Sequence, residues 1–356
     1  MTEIVKIGNR EVGDGMPTFI TFEAGPTHNG LESAKRLVKY AAEAGGDAIK
    51  FQIFDPDELV ADKSLMYSYD VLVDKDTGKT ETVTEPLYDI FKRRSMTESS
   101  WRELKSYADS LGLTFFATIG DESGLALVKS IGCHSIKIAS ADVNYLPWLR
   151  KVANLGVSLQ LDTGNATFGE IEKAVDVIRA EGDSGIIIHN CPSGYPAHLD
   201  SINLNMLPNL KKIFKCPVAY SDHSPGEIMD VAAIALGANL IEKTITENKM
   251  TRSVEHVMSI EPHEMKSFVD TIRDVERALG EPRRIMTEHE QQKRLNVRRS
   301  TILDEYVSAG SKLSSAKVKF KRPGYGIAPD HYESMINMTF NKDLPKGHVL
   351  SVHDLS

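Results

Sequence analysis

The chain has 356 residues, 41% of them apolar and 26% charged, which allows one large domain and a small one and is ordinary for a globular protein. A net charge of -8 with a pI near 5.8 gives no sign of a nucleic-acid or polyanion binder, and no apolar run approaches the roughly 18 residues of a membrane span. Cys133, Cys191 and Cys216 show no CxxC spacing, and the N-terminal stretch lacks the basic-then-apolar order of a secretory signal, so a soluble, cytoplasmic protein without disulfides is expected.

Short apolar, strand-like runs alternate along the chain with amphipathic helical stretches. FITFEAG (from Phe19) is followed by LESAKRLVKYAAEAG, and AIKFQIF (Ala48) by a longer interval. TFFATI (Thr114) precedes ESGLALVKSIG, and SIKIAS (Ser135) comes next. SLQLDTG (Ser158) precedes FGEIEKAVDVIRAEG. GIIIHNC (Gly185), PVAYSDH (Pro217) with GEIMDVAAIALGA, and LIEKTIT (Leu240) complete the set. The runs are continuous rather than alternating, as strands covered on both faces should be. Eight such units predict an α/β fold, a (β/α)8 TIM barrel, over residues 1–280; a doubly wound open sheet is the alternative. The interval 55–96 is too long for an ordinary connection and leaves a strand on the side where barrels carry their sites. It reads equally as a surface insertion or as a segment covering substrate.

The charged stretch 281–296 reads as a linker. The tail, 297–356, holds a degenerate repeat in which Gly310, Leu313 and Val318 of SAGSKLSSAKV align with Gly347, Leu350 and Leu355 of PKGHVLSVHDL. A repeated turn-and-strand unit predicts a small, pseudo-symmetric β-rich domain, too small to be robust alone.

In a barrel the C-terminal strand ends converge on one cleft. Here they carry Glu23, His28 and Asn29, then Lys50 and Gln52, Thr118, and Lys137 and Ser140. The later strands add Asp162 and Thr163, His189 and Asn190, then Ser221, Asp222 and His223, and finally Glu242, Lys243 and Thr244. Lysines inside three strands are hard to explain by packing, because an unpaired buried ammonium is costly. With hydroxyls beside them they suit a phosphorylated, carboxylated substrate. Glu23 reads as a catalytic group or as a partner for Lys50, and His28 as a site residue or a loop histidine. His223 could be a metal ligand or a hydrogen-bonded cleft histidine. His189 reads as a core histidine.

The phrases EAGPTHNG, KFQ, KIAS, SGYP, SDHS, IEK and RPGYG follow one another in the order and spacing of the sialic acid synthase family, which the chain resembles over nearly its whole length. The tail resembles that family's antifreeze-like (SAF) domain. The resemblance implies a metal-dependent (Mn2+ or Mg2+) condensation of phosphoenolpyruvate with the open-chain aldehyde of an N-acylated amino sugar, such as N-acetylmannosamine or a deoxy-diacetamido hexose. It also implies a domain-swapped homodimer in which each tail caps the partner's barrel. By position, Lys50 and Ser221 would bind the phosphoenolpyruvate carboxylate, and Lys137, Ser140 and Thr118 its phosphate. Glu23 would position the attacking water or the aldehyde. Gln52, Ser193, Tyr195 and Glu242 would face the substrates, and Arg322 in KRPGYG would reach the sugar's N-acyl group. His223 would be both catalytic and a metal ligand.

The sequence departs from the family pattern at four of these places. Thr244 stands where a second metal-binding histidine is usual, which weakens the expected metal site, with His256 a candidate replacement. Asp162 stands where a serine would face the phosphate, Ser193 where some members carry asparagine, and Tyr325 where asparagine is usual. Two rivals remain: a class I aldolase using Lys137 or Lys243 as a Schiff-base amine, and a non-catalytic sugar-binding relative.

Overall fold

A computed structural model describes residues 2–182 and 184–356. The chain divides into two compact units, 1–280 and 281–356. In the first, eight parallel strands close into a barrel. They are β1 (Phe19–Glu23), β2 (Ala48–Ile53), β3 (Thr114–Ile119) and β4 (Ser135–Ile138), then β5 (Ser158–Asp162), β6 (Ile186–Asn190), β7 (Val218–Asp222) and β8 (Leu240–Thr244). Sequential neighbours pair, and β8 closes on β1 with Thr244 opposite Glu23. This is the TIM barrel that the rhythm of the sequence predicts.

Side-chain parity then divides the strand residues into two populations, because successive residues in a strand face opposite ways. The outward set, which includes Ile20, Phe22, Ile49, Phe51, Phe115, Ile136, Leu159, Ile188 and Ile241, packs against the helices in one large core. The inward set is apolar only at the bottom. There Phe19, Ala48, Phe116, Ile187, Ala219 and Leu240 meet Val5, Ile7 and Val12 of an N-terminal hairpin. Above that plug the barrel interior turns polar. Gln160 donates to Ser135 Oγ (3.1 Å), and His189 Nε2 lies 3.0 Å from Gln160 Oε1. Higher still come the ionisable groups described below.

The interval between β2 and β3 has structure of its own. After a short helix (Pro56–Leu59) it forms an antiparallel hairpin, Met66–Asp74 with Lys79–Pro86, and then a helix, Leu87–Arg94. Tyr69, Val71 and Ile90 pack against Val254, from the loop after β8, with Tyr195, from the loop after β6, beside them. The insertion is thereby fixed to loops at the C-terminal ends of the strands.

In the second unit part of the segment read as a linker is helical. Glu288–Val297 is started by a reciprocal cap between Thr287 and Glu290. A hairpin of Ser300–Leu303 with Val318–Lys321 follows. The internal repeat is visible in the backbone. Gly310 and Gly347 both turn the chain at positive φ (77° and 88°), which favours glycine, and Leu313 and Leu350, three residues on, are fully buried in one core with Leu303, Val307, Phe340 and Leu355. Val318 is only partly buried there, so the third position of the repeat is the least symmetric.

Candidate active site

A cavity of about 430 Å³ opens at the C-terminal end of the barrel. Glu23, Lys50, Gln52, Thr118, Lys137, Ser140, Asp162, Tyr195, His223, Glu242 and Thr244 line it, and these come from every strand end or the loop that follows one. The strand registers explain the convergence. Glu23 is opposite Lys50, Gln52 opposite Thr118, Thr118 opposite Lys137, and Ser221 opposite Glu242.

One carboxylate oxygen organises the floor. Glu242 Oε1 accepts from Lys137 Nζ (2.6 Å), Lys50 Nζ (2.8 Å) and Ser221 Oγ (3.0 Å). Lys50 also reaches Glu23 (3.1 Å) and Thr118 (3.3 Å), while Lys137 reaches Asp162 (3.0 Å) and Ser221 (3.2 Å). Gln52 donates to the other oxygen of Glu23 at 3.0 Å. Gly25 allows this arrangement, because a Cβ there would stand 2.6 Å from both Gln52 and the Glu23 carboxylate.

The charged groups among these are all buried, so they act through a poor dielectric. Burial would raise the Glu242 carboxyl, but Lys137 and Lys50 overcome it and hold the group well below the ordinary range. Burial raises Glu23 to about 7, with Lys50 opposing and Glu242 adding to the rise. Burial likewise raises Asp162, against Lys137. For Lys137 burial acts downward, but Asp162 and Glu242 outweigh it and the ammonium is stabilised. The floor therefore sets Lys50 and a firmly charged Lys137 around one firmly charged carboxylate, with two further carboxyls whose protonation burial favours.

A testable consequence concerns binding of an anion such as phosphoenolpyruvate beside Glu23. The anion would repel the carboxylate form and raise that pKa further, so binding should consume protons, and affinity should fall as pH rises above about 7. Calorimetric titrations at pH 7.5 in buffers of different ionisation heat should report net proton uptake, diminished in Glu23→Gln. Proton release on binding would contradict the assignment.

His223 Nδ1 lies 2.8 Å from the Pro192 carbonyl. A carbonyl only accepts, so Nδ1 carries the proton and Nε2 keeps its lone pair. Nε2 is 4.0 Å from Cys191 Sγ, and the Tyr195 ring centroid is 4.7 Å from that of His223. Burial, aided by Lys137, lowers the imidazole pKa to about 4, which keeps it neutral. A neutral imidazole with a free nitrogen on the cavity suits a divalent ion. Thr244 offers only a hydroxyl. Among the described residues the one cluster of three potential metal ligands is Glu261, His263 and Glu264, outside this cavity. A cation here would have His223 as its imidazole and would complete its shell from water and substrate oxygens.

Several groups read from the sequence lie elsewhere. Lys243, neighbour of the inward Glu242, must face outward. Its ammonium pairs with Asp222 and Asp230 and donates to the Ser224 carbonyl (2.8 Å), between the barrel and the helix Ile228–Ala235. Asn190 donates to the Ile202 carbonyl (3.0 Å) and Thr163 to the His189 carbonyl (2.7 Å). Only two of the three strand lysines thus belong to the cleft. His28 packs edge-on to Phe51 and Trp101 in the outer core, and His256 hydrogen-bonds Thr246 Oγ1 (2.7 Å), so neither reaches the cavity. Ser193 does not line it. Ser221 joins the floor through its hydrogen bonds rather than the wall. Arg322 belongs to the second unit, where its Nε donates to the Val297 carbonyl at 2.9 Å. Conversely, the cavity wall includes Tyr67, Arg94, Asp142, Cys191 and Glu255, which the sequence did not single out. Burial lifts Asp142 to about 6 and Glu255 to about 8.

Comparison with known proteins decides the family. The profile of the NeuB family matches residues 37–284 and that of the SAF domain residues 298–356. The chain belongs to the NeuB family. It is 36% identical to an uncharacterised protein of Methanocaldococcus jannaschii, over 99% of both chains. It is 33% identical to the N,N'-diacetyllegionaminic acid synthase of Legionella pneumophila, over 96% of both. Among solved structures it is similar to the N-acetylneuraminic acid synthetase of Leptospira borgpetersenii in complex with citrate, with a TM-score of 0.71, 30% identity, and coverage of 82% of this chain and 95% of that one. This NeuB-family chain therefore carries the barrel and the SAF domain of its relatives, and its two inward lysines lie at the cavity floor.

Proposed function

We propose that this chain condenses phosphoenolpyruvate with the open-chain aldehyde of an N-acylated amino sugar, giving a 2-keto-3-deoxy sugar acid and inorganic phosphate. The observation that carries this is the floor of the cavity: Lys50, Lys137 and Ser221 all donate to one carboxylate oxygen of Glu242, and Thr118 and Ser140 line the same cavity. Two fixed cations on one floor match a ligand bearing both a carboxylate and a phosphate. In this reading Lys50 and Ser221 take the carboxylate, and Lys137, Ser140 and Thr118 take the phosphate. C3 of phosphoenolpyruvate forms the new bond to the aldehyde carbon, water adds at C2, and phosphate leaves with its bridging oxygen. Glu23, titrating near neutrality and fixed by Gln52, would orient the water or the aldehyde and move a proton there. Gln52 and Tyr195 would contact the sugar.

A divalent ion held by His223 would polarise the aldehyde oxygen as negative charge develops on it. With Thr244 in place of a second imidazole, that ion would be held weakly. Thr244→His should lower the Mn2+ concentration needed for half-maximal activity, and equilibrium dialysis should show tighter Mn2+ binding. Full activity after exhaustive chelation would remove the metal from the account.

The Schiff-base alternative fares worse. It requires a neutral amine, whereas Asp162 and Glu242 stabilise the charged form of Lys137, and Lys243 is walled off from the cavity. Borohydride trapping with carbonyl substrates should label neither lysine. We also propose that the chain acts as a homodimer, with the SAF domain of one copy, carrying Arg322, serving the barrel of the other and taking an N-acyl group of the sugar. Sugar-dependent release of phosphate from phosphoenolpyruvate tests the proposal as a whole, and its absence across a panel of amino sugars would leave a non-catalytic protein.

A further inference from the structure

Two soft donors meet on the cavity wall, and the chemistry above uses one of them. Cys191 follows β6 and His223 follows β7, neighbouring parallel strands that pair through Asn190 and Tyr220. Each stands two residues beyond an inward side chain, His189 and Ser221, so the twofold period turns both into the cavity. One loop then controls both nitrogens of the His223 ring. The Pro192 carbonyl, 2.8 Å away, fixes the proton on Nδ1, and the residue before it, Cys191, sets its sulfur 4.0 Å from Nε2. His223 and Cys191 are 8% and 6% exposed. No close hydrogen bond accounts for the position of the thiol: its contacts to Nε2 and to the Pro192 carbonyl both stand at 4.0 Å.

A thiol beside an imidazole can serve as a nucleophile or as half of a metal site. A nucleophile needs a thiolate in the free protein, and burial holds the Cys191 thiol well above its ordinary range. The metal reading fits the geometry. Zinc-like ions take an imidazole nitrogen at about 2.0–2.1 Å and a sulfur at about 2.3 Å, so two such donors in a tetrahedral shell stand about 3.5 Å apart. The 4.0 Å between Nε2 and Sγ exceeds that by about half an ångström, which a small side-chain rotation closes. We infer that Cys191 and His223 together hold a thiophilic divalent cation, of the zinc(II) or cobalt(II) class, with the thiol releasing its proton to solvent as the sulfur–metal bond forms. The inference rests on the placement of the ion at His223 proposed above, and it changes which ions are held. Mn2+ and Mg2+ find a thiolate a poor donor and stay weakly bound, whereas a softer ion gains a second protein ligand that Thr244 does not supply.

The test reads binding rather than turnover. The full chain, kept reduced and freed of metal by chelation, is titrated anaerobically with Co2+ and followed by absorption. The wild-type chain should develop a near-ultraviolet thiolate-to-cobalt charge-transfer band that saturates at a single ion per chain. Cys191→Ser should lose the band and bind Co2+ and Zn2+ at least about tenfold more weakly, since even groups that only touch a metal's ligands carry that much. Its affinity for Mn2+ should stay within about twofold of wild type, whereas His223→Ala should weaken all three ions. Cys133→Ser and Cys216→Ser should keep the band, because neither thiol lines the cavity. Cobalt binding without the band, or a band that survives in Cys191→Ser, would overturn the assignment. Equal losses of Co2+ and Mn2+ affinity in Cys191→Ser would do so as well, being the mark of a structural role. Should Cys191→Ser fail to fold, X-ray absorption of the Zn2+-loaded wild-type chain decides: a sulfur neighbour at about 2.3 Å is expected, and a shell of nitrogen and oxygen alone overturns the inference. Any of these failures leaves the condensation standing, because sugar-dependent phosphate release tests that reading separately.

Discussion

Lys137→Ala is expected to weaken phosphoenolpyruvate binding roughly ten- to a hundredfold while the barrel stays folded, the loss appropriate to one charged phosphate contact in a closed site. The upper part of that range is favoured by what Lys137 holds in the free protein. Its ammonium lies 2.6 Å from Glu242 and 3.0 Å from Asp162. Without it Glu23, Glu242 and Asp162 would face the incoming anion with Lys50 as the one ammonium left on the cavity floor to offset them. Part of the loss is therefore repulsion, and Lys137→Ala combined with Asp162→Asn should recover some affinity, a coupling that independent sites would not show. Calorimetric titration of the four chains measures it. Wild-type affinity in Lys137→Ala would show that the phosphate lies elsewhere. The same variant probes assembly: re-equilibrated mixtures of Lys137→Ala and Arg322→Ala chains should regain activity above either parent if each cleft draws on two copies.

Lys243→Met is expected to destabilise the protein by roughly 3–5 kcal/mol, the cost of leaving buried carboxylates without their cation. Lys243 is 1% exposed, and its ammonium is shared between Asp222 and Asp230, themselves 2% and 0% exposed. Asp222 has compensating hydrogen bonds from Ser224 N (2.8 Å), Ser224 Oγ (2.6 Å) and Tyr220 (3.0 Å). Neither oxygen of Asp230 has a hydrogen-bond partner among the described residues. Burial holds the Asp230 carboxyl well above its ordinary range, whereas for Asp222 Lys243 overcomes burial and holds the carboxyl below it, so Asp222 should suffer most, and Lys243→Met with Asp222→Asn should regain part of the stability. Urea denaturation gives the difference. Because Lys243 faces the helices, the folded variant should keep wild-type phosphoenolpyruvate affinity. A stable variant that no longer binds phosphoenolpyruvate would return Lys243 to the cleft.

The contrast between these two lysines shows what the sequence discloses. The eight strands were legible because each is a continuous apolar run closed by polar residues, and the inward groups Glu23, Lys50, Lys137 and Glu242 stand out against those runs. Parity was legible too: adjacent residues such as Glu242 and Lys243 cannot face one cavity, and applying the twofold period would have removed Lys243, Asp222 and Asn190 from the site. Other features had no local signature. Arg94 ends FKRR, where a basic residue in the last turn of a helix is ordinary. It reaches the cavity only because the hairpin before it packs on Val254 and Tyr195, from loops after β8 and β6. Glu255 reads as one more loop carboxylate until its backbone and burial are known. For His28 and His256, loop position suggested chemistry, but aromatic packing in one case and a hydrogen bond to Thr246 in the other place them outside the cavity.

The central claim is that the two-lysine floor holds phosphoenolpyruvate for condensation with an amino sugar. It is tested most directly with phosphoenolpyruvate carrying 18O in the bridging C–O–P position, incubated with the protein, Mn2+ and a diacetamido hexose. Phosphate release that requires the sugar, with the label recovered in the phosphate, is the result expected from C–O cleavage after water adds at C2. Phosphate released without sugar, or label retained in the organic product, would contradict the account.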